Sequence, residues 1–400
     1  MATITAYTSL DMSTLNFYRV TQNAYASFFD NTSVPNYVEV DWQYNGAQYA
    51  SVFGGSGFAL DISGNITAGT VTGYLEAQWN GSSWVPTWLL TNISTSAPAL
   101  YQAFQTPSLS DDIAAIQVNL AGNDSIYGSS GSDTVYGFAG NHVIVGGAGD
   151  DVGYGGDGND YFYAGAGNDI LIGDAGLDVL LGEGGNDLIY GGSGFNYLFG
   201  GDGSDTLVGS GGMASSDVNV MYGEAGNDVL YGGAGTNYFY GGTGVDTMVG
   251  GSGLNIFISS GETDGNVIYG GSGQNYVYGS NGGDTVTGGS GVDVFLMGTG
   301  ADNISGGGGV DYAWGGGGAD TFNISDTSQE VMVVQDFNTG GVNDFVNFAG
   351  TSLHSFADVQ AAETYVAGIN TTIITDAAGS AVWLIGVAPA QLDASMFKFA

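Results

Sequence analysis

The chain has no cysteine, so disulfides, thiolate metal sites and cysteine nucleophiles are all excluded. It has almost no positive charge: two Lys+Arg, Arg19 and Lys398, stand against 40 Asp+Glu, a formal net charge of −38. Phosphate contacts need lysine and arginine, so nucleic acid is excluded as a partner. An anionic membrane surface is disfavoured for the same reason. There are two histidines, His142 and His354, and no H-E-x-x-H, which removes the zinc-protease reading. No G-x-S-x-G elbow with a plausible histidine partner occurs, and no P-loop. No apolar run approaches the ~18 residues of a membrane-spanning helix, so direct membrane insertion is not expected. The opening MATITAYTSLD lacks a basic region and an adequate apolar run, so a cleaved leader is not expected there.

What is abundant is glycine, 74 of 400 residues, together with 43% hydrophobic residues and 24 tyrosines. That is too much apolar material for a disordered acidic chain. From Asn119 to Asn323 the sequence reads as 22 consecutive nonapeptides of the form G-G-x-G-x-D-x-U-x, with U a large apolar residue. Clean copies are GGDGNDYFY (155–163), GGTGVDTMV (241–249), GGSGVDVFL (288–296) and GGGGADTFN (315–323). The register slips twice, by five residues around Met213–Asp217 and by two within Ser259–Tyr269. A flexible glycine-rich linker would not keep this spacing or its regular apolar position. The glycines permit a tight turn, and the last three residues form a short strand with position 8 inward and positions 7 and 9 outward. One strand cannot bury its apolar residue alone, so coils stack, two nonads to a coil, about 4.8 Å apart.

Position 6 then carries the chemistry. On one edge, supplied by the even-numbered nonads, it reads Asp133, Asp151, Asp169, Asp187, Asp205, Asp228, Asp246, Asn266, Asp284, Asp302 and Asp320. On the odd edge it reads Asp124, His142, Asp160, Asp178, Asn196, Asn219, Asn237, Asn255, Asn275, Asp293 and Asp311. Unit charges ~4.8 Å apart repel by ~3.5 kcal/mol at an effective dielectric of ~20. Cations between rungs reverse this, and a donor set of carboxylates and carbonyls selects a hard ion, Ca²⁺ over Mg²⁺. The two edges therefore differ: a calcium-rich even edge faces an odd edge whose five asparagines carry no charge and can donate and accept along the stack. About ten strong sites are expected, at Asp–Asp neighbours, with mixed Asp–Asn pairs weaker. His142 interrupts the ladder, and His354 reads as structural at the start of a helix.

The array resembles the repeats-in-toxin (RTX) calcium-binding proteins. The resemblance implies an all-β fold, a parallel β-roll (β-solenoid), folding on Ca²⁺ outside the cell. It also implies export by the type I secretion machinery through an uncleaved C-terminal signal, with which the apolar Met396-Phe397-Lys398-Phe399-Ala400 end is compatible.

Three regions are expected. Residues 1–110 form a β-rich, sandwich-like domain, with strands at Tyr37–Trp42 and Thr70–Tyr74 and turns at Asn45-Gly46, Gly54-Gly55, Ser63-Gly64-Asn65 and Asn80-Gly81. Within it Gly57–Tyr74 looks like a module that precedes such arrays in smaller RTX proteins, and Thr106–Asp112 is the linker. Residues 119–323 form the roll. Residues 324–400 form a β-rich cap with strands at Val331–Val334, Val382–Ile385 and Met396–Phe399. The cap's one short helix spans about Phe356–Val366 and is opened by a Ser355/Asp358 capping box.

Outward positions on the odd sheet pair aromatic with aliphatic rows: Tyr161/Tyr163, Tyr197/Phe199, Tyr238/Tyr240, Tyr276/Tyr278 and Tyr312/Trp314 between Val143/Val145, Val179/Leu181, Val220/Tyr222, Ile256/Ile258 and Val294/Leu296. A flat apolar face of this extent exceeds the ~300–600 Å² patch of an ordinary monomer and calls for a cover, by a domain of the same chain or by another copy. The function expected is structural and non-enzymatic: a cell-surface or extracellular layer, filament or matrix built from copies of itself. One alternative is an adhesin for cell-surface polysaccharide through Trp42, Trp79, Trp84 and Trp88, or for ice through a flat face whose Thr ranks are incomplete. A second is a polysaccharide-active enzyme using Glu39, Asp41, Asp61 or Glu76, which would have to converge in a cleft.

Overall fold

Each nonad becomes a three-residue strand followed by a glycine corner. A computed structural model describes the backbone of residues 3–6, 25–27, 37–44, 47–60, 66–79 and 84–96. From 122 to 399 it describes side chains as well, apart from 211–215, 326–328 and 340–341. The strands pair in parallel with the nonad two further on, as in Tyr161 with Val143 and Val152 with Thr134. The fold is a parallel β-solenoid of about eleven turns, with β-rich flanks. The chain divides into two compact units, Met1–Gly184 and Gly185–Ala400.

In both units position 8 is the core. Ile126, Ile144, Leu171 and Leu180 in the first unit, and Leu198, Met221, Phe239, Phe257 and Ile268 in the second, are completely buried. Each such side chain contributes roughly 1.5–3 kcal/mol by leaving water. Two rungs depart from the large apolar pattern. Gly153 stands at position 8, and Phe162 fills its place so closely that a Cβ on Gly153 would collide with the ring. Ala313 is the other, fully buried.

The second unit shows both slips read from the sequence. Phe195 pairs with Val218 and Thr206 with Val229, 23 residues apart instead of 18. Thr247 pairs with Val267 and Leu254 with Gln274, 20 apart. The register recovers after each, because a strand displaced by one residue would turn its core side chain to solvent. Glycine is replaced at the second corner position by Phe138, Asp174, Glu183 and Glu224, all held at φ between 70° and 75°. Such left-handed conformations cost a non-glycine residue about 1–2 kcal/mol.

In the first unit the N-terminal strands extend the roll's sheet. β1 (Thr3–Ala6) pairs parallel with β7 (Ser125–Tyr127) on one side and antiparallel with β6 (Trp84–Ser96) on the other. β2 (Tyr25–Ser27), β3 (Tyr37–Tyr44), β4 (Ala47–Leu60) and β5 (Ile66–Trp79) continue as an antiparallel meander, in the order β2-β3-β4-β5-β6-β1. The meander therefore covers the first edge of a parallel sheet, which would otherwise offer open hydrogen-bonding groups. The β3–β4 pairing ends at Tyr44 with Ala47, and the turn expected at Asn45-Gly46 lies outside the described residues. Gly54-Gly55, expected as a turn, is instead a register shift inside the long β4–β5 pair; glycine there accommodates a bulge without breaking the strand. The linker expected at Thr106–Asp112 lies outside the described residues.

The C-terminal segment of the second unit continues the solenoid without nonad sequence. Val331–Val334 pairs parallel with Val310–Trp314 and then with Ala381–Ile385. Phe345–Asn347 pairs parallel with Thr321–Asn323 and then with Phe397–Lys398. The helix, α1 (Phe356–Ala362), starts at Ser355, whose hydroxyl accepts the Asp358 N–H. It is shorter than expected: Glu363–Val366 forms a strand against Thr371–Ile374, where the β-branched and aromatic Thr364, Tyr365 and Val366 suit pairing better than a helix.

Candidate metal centre

Every aspartate predicted at position 6 is buried, at no more than 2% exposure: Asp124, Asp133, Asp151, Asp160, Asp169 and Asp178 in the first unit, and Asp187, Asp205, Asp228, Asp246, Asp284, Asp293, Asp302, Asp311 and Asp320 in the second. The corner directs them inward, and a repeating hydrogen bond fixes their aim. One carboxylate oxygen accepts the backbone N–H of the position-6 residue one coil earlier. In the first unit Asp133 N–H donates to Asp151 Oδ1 at 2.7 Å, Asp151 N–H to Asp169 Oδ1 at 2.7 Å, and Asp160 N–H to Asp178 Oδ1 at 2.9 Å. In the second the file runs from Asp187 through Asp205, Asp228, Asp246, Asn266, Asp284 and Asp302 to Asp320, with N···O distances of 2.7–2.9 Å.

The second carboxylate oxygen is the one with chemistry left to do. Oδ2 of Asp151, Asp160, Asp178, Asp205, Asp228, Asp246, Asp293, Asp302 and Asp311 is buried and accepts no hydrogen bond. In Asp151, Asp160, Asp228 and Asp246 it lies against the glycine that opens the nonad, so tightly that a Cβ on Gly146, Gly155, Gly223 or Gly241 would strike it. Burial dominates the electrostatics. It pushes Asp151, Asp178, Asp228, Asp302 and Asp311 up to about 7, against the opposing backbone hydrogen bond. Asp160, Asp293 and Asp320 rise to about 6 for the same reason. Buried, partnerless anionic oxygens stacked in files require either protons or cations.

At two rungs the carboxylate has further partners. The second corner glycine is replaced by serine, and Ser129 donates its N–H at 2.6 Å and its hydroxyl at 3.0 Å to Asp133 Oδ2. Ser280 donates its N–H to Asp284 Oδ2 at 2.8 Å and its hydroxyl to Asp284 Oδ1 at 3.0 Å.

The asparagine stretch behaves differently. Asn196, Asn219, Asn237, Asn255 and Asn275 form one amide chain: each Nδ2 donates to the next Oδ1, at 3.3, 3.0, 2.9 and 2.9 Å. Asn275 closes it by donating from both its backbone and its side chain to Asp293 Oδ1. Apart from the buried Asn196 Oδ1, which accepts no hydrogen bond, these amides satisfy one another with no charge to neutralise.

Six acidic residues among those described join the files from outside position 6, and sequence reading missed all of them: Asp217 Oδ1 accepts the Gly194 N–H at 3.1 Å, Asp336 accepts the Gly315 and Gly316 N–H groups at 2.9 and 2.8 Å, and four more follow. Asp344 Oδ1 accepts the Asp320 N–H at 3.1 Å, adding a rung beyond the last nonad. Glu330, fully buried and raised to about 7 by desolvation, accepts from Gly306, Gly307 and Ser325 N–H groups. Glu262 and Asp264, from the second insertion, accept from Gly242 and Gly244, and Glu262 also accepts from Asn266 Nδ2. An acidic residue within each irregular segment was the available signal. A second, outer ladder was missed as well: Asn141, Asn159, Asn186 and Asn227 at position 5 each accept a backbone N–H from the next coil.

A family model for the RTX calcium-binding nonapeptide repeat matches residues 120–153, 145–180, 154–189, 181–212, 214–257, 260–295 and 298–323. The chain belongs to the RTX calcium-binding β-roll family. A comparison with curated proteins finds no match. In this RTX chain the residues present fit the ion on structural grounds: hard, buried oxygens without hydrogen-bond partners, repeated at each coil. Asp151, Asp160, Asp178, Asp205, Asp228, Asp246, Asp293, Asp302 and Asp311 are the residues that would hold it through Oδ2. Bound Ca²⁺ supplies the positive charge that offsets their mutual repulsion and desolvation.

The predicted self-association residues all lie on outward strand positions. Tyr161, Tyr163, Tyr278 and Tyr312 are exposed; Tyr197, Phe199, Tyr238, Tyr240, Tyr276 and Trp314 are half-buried. Part of that burial is lateral, since Phe199 stacks on Tyr222 at 4.9 Å and Tyr222 on Tyr240 at 4.5 Å. The side chains of Trp42, Trp79, Trp84, Trp88, Glu39, Asp41 and Glu76, and all of Asp61, fall outside the described residues. His354 uses its backbone N–H on Asp358 Oδ2, at the helix start.

Proposed function

We propose that this RTX protein is a secreted structural protein that folds on calcium outside the cell and assembles with copies of itself into a surface layer, filament or matrix. RTX repeat proteins are usually secreted, and no helix among the described residues is long and apolar enough to cross a membrane. The observation that carries the assembly reading is the rank at position 7 of the odd sheet. In the second unit Tyr197, Val220, Tyr238, Ile256, Tyr276, Val294 and Tyr312 succeed one another in register, aromatic against β-branched without exception. The first unit repeats the rule with Val143, Tyr161 and Val179. Alternating large and small rows are self-complementary: a second copy shifted by one coil places its tyrosines over the first copy's valines, as in sheet-on-sheet packing. Tyrosine suits a face that is wet before assembly and dry after it. With two Lys+Arg in the whole chain, such contacts rest on apolar packing and bound calcium and not on salt bridges.

Negative-stain electron microscopy and light scattering with and without a chelator test this reading. Ordered polymers that dissolve on chelation, and that Tyr161→Ser with Tyr238→Ser weakens without loss of bound calcium, are expected. A calcium-loaded monomer at high concentration removes the proposal.

A further inference from the structure

One rung of the first unit carries an imidazole where its neighbours carry carboxylates. His142 donates its backbone N–H to Asp160 Oδ1 at 2.8 Å, so its ring sits in the same file as the aspartates. The residue is 1% exposed, and neither Nδ1 nor Nε2 has a hydrogen-bond partner. Nδ1 lies 4.0 Å from Asp124 Oδ2, too far for a hydrogen bond. One coil on, Asp160 Oδ2 is also buried and without a partner. The ring is accommodated by glycines: a Cβ on Gly137 would lie 2.8 Å from His142 Cδ2, and one on Gly140 3.1 Å from Cε1.

We propose that this rung binds a borderline divalent transition-metal ion, of which Zn²⁺ is the representative, through His142 and Asp124, in place of Ca²⁺. Calcium takes oxygen ligands and has little use for imidazole, whereas zinc binds imidazole nitrogen and carboxylate oxygen together. Tetrahedral donors each about 2.0–2.2 Å from one ion stand about 3.4 Å apart, so metal binding draws Nδ1 and Oδ2 together from their 4.0 Å separation by a small side-chain adjustment. A metal ion also gives a use to a ring nitrogen that the fold leaves buried and unpaired. The inference rests on the cation-ladder reading only for the neighbouring rungs. If that reading fails, calcium is lost from the whole array; if this one fails, calcium binding is untouched.

The test uses the full chain, saturated with calcium and labelled with ¹⁵N-histidine. With two histidines in the protein, the imidazole nitrogens are two resolvable sets, which ZnCl₂ titration follows by NMR beside calorimetry. Zinc is expected to shift the His142 ring nitrogens at one ion per chain and to leave His354 unmoved. His142→Asp should weaken that zinc site by about a hundredfold or more and add one calcium, while His354→Gln changes neither. His142→Asn serves as the second variant, because asparagine occupies five rungs of the second unit. Zinc that leaves the His142 ring unmoved, zinc displaced by excess calcium, or a one-to-one zinc site that survives in His142→Asn would overturn the proposal.

Discussion

Lowering the pH should fold the roll without metal. Asp228, Asp302 and Asp311 sit at about 7, and Asp293 and Asp320 at about 6, all pushed up from 3.8 chiefly by burial. Their folded-state pKa values exceed those of the unfolded chain, so the metal-free fold binds more protons than the unfolded state between about pH 4 and 7. Stability from these groups is complete below the unfolded pKa and is lost as pH rises through 6 to 7. A shift of roughly three units is worth roughly 4 kcal/mol for an isolated group. The rungs share neighbours, so their shifts are not additive; a third of the summed value over these five still amounts to roughly 6 kcal/mol, comparable to the ~5–15 kcal/mol stability of a whole domain. Metal-stripped protein should therefore show little β-structure at pH 7.5 and a cooperative melt at pH 5.2, a value still above the sequence pI of about 4.1. Calcium should restore the melt at pH 7.5 and add less at pH 5.2. Far-UV circular dichroism with thermal melts at both values, with and without calcium, is the measurement. Equal metal-free stability at the two pH values, or greater stability at 7.5, would refute the electrostatic account of the array.

Three further perturbations follow from the same geometry. Asp228→Asn removes one buried, partnerless oxygen charge; metal-free stability at pH 7.5 should rise while calcium stoichiometry falls, by calorimetric ion counting. Phe257→Ala empties a fully buried position stacked on Phe239 at 4.5 Å, and should cost about 3–5 kcal/mol in calcium-loaded denaturant melts. Glu224→Gly relieves a left-handed φ of 75° and should stabilise the loaded roll by about 1 kcal/mol, read as a raised Tm.

The regular part of the molecule was legible because its period has a physical cause. A nonad that buries position 8 and turns on glycine admits one stacking, and both insertions appear as longer pairing intervals at the expected places. The asparagine chain was readable too, since an uncharged amide at five successive rungs has few other uses. What escaped reading depends on segments without the period. Glu330 and Asp344 follow the last nonad by several residues, and only the solenoid's continuation through Val331–Val334 and Phe345–Asn347 brings them to the files. Helix α1 was placed by its Ser355 cap, but its end was not, because tertiary pairing of Glu363–Val366 overrides the helical continuation. Ser129 and Ser280 stand where most nonads have glycine, and nothing in their spacing announces that they donate to a carboxylate.

The contact between Oδ2 and the first glycine of its own nonad reaches beyond the ion. It ties two of the nine positions to one another wherever glycine opens the nonad, since a Cβ there would meet the carboxylate at the sixth; Ala164 ahead of Asp169 and Met297 ahead of Asp302 are exceptions, and both carboxylates stay buried. Positions 3, 7 and 9 carry no such tie. The exterior of the roll is thus a surface that mutation can rewrite residue by residue, from tyrosine rows to threonine rows, while the scaffold beneath keeps its pitch and its appetite for metal.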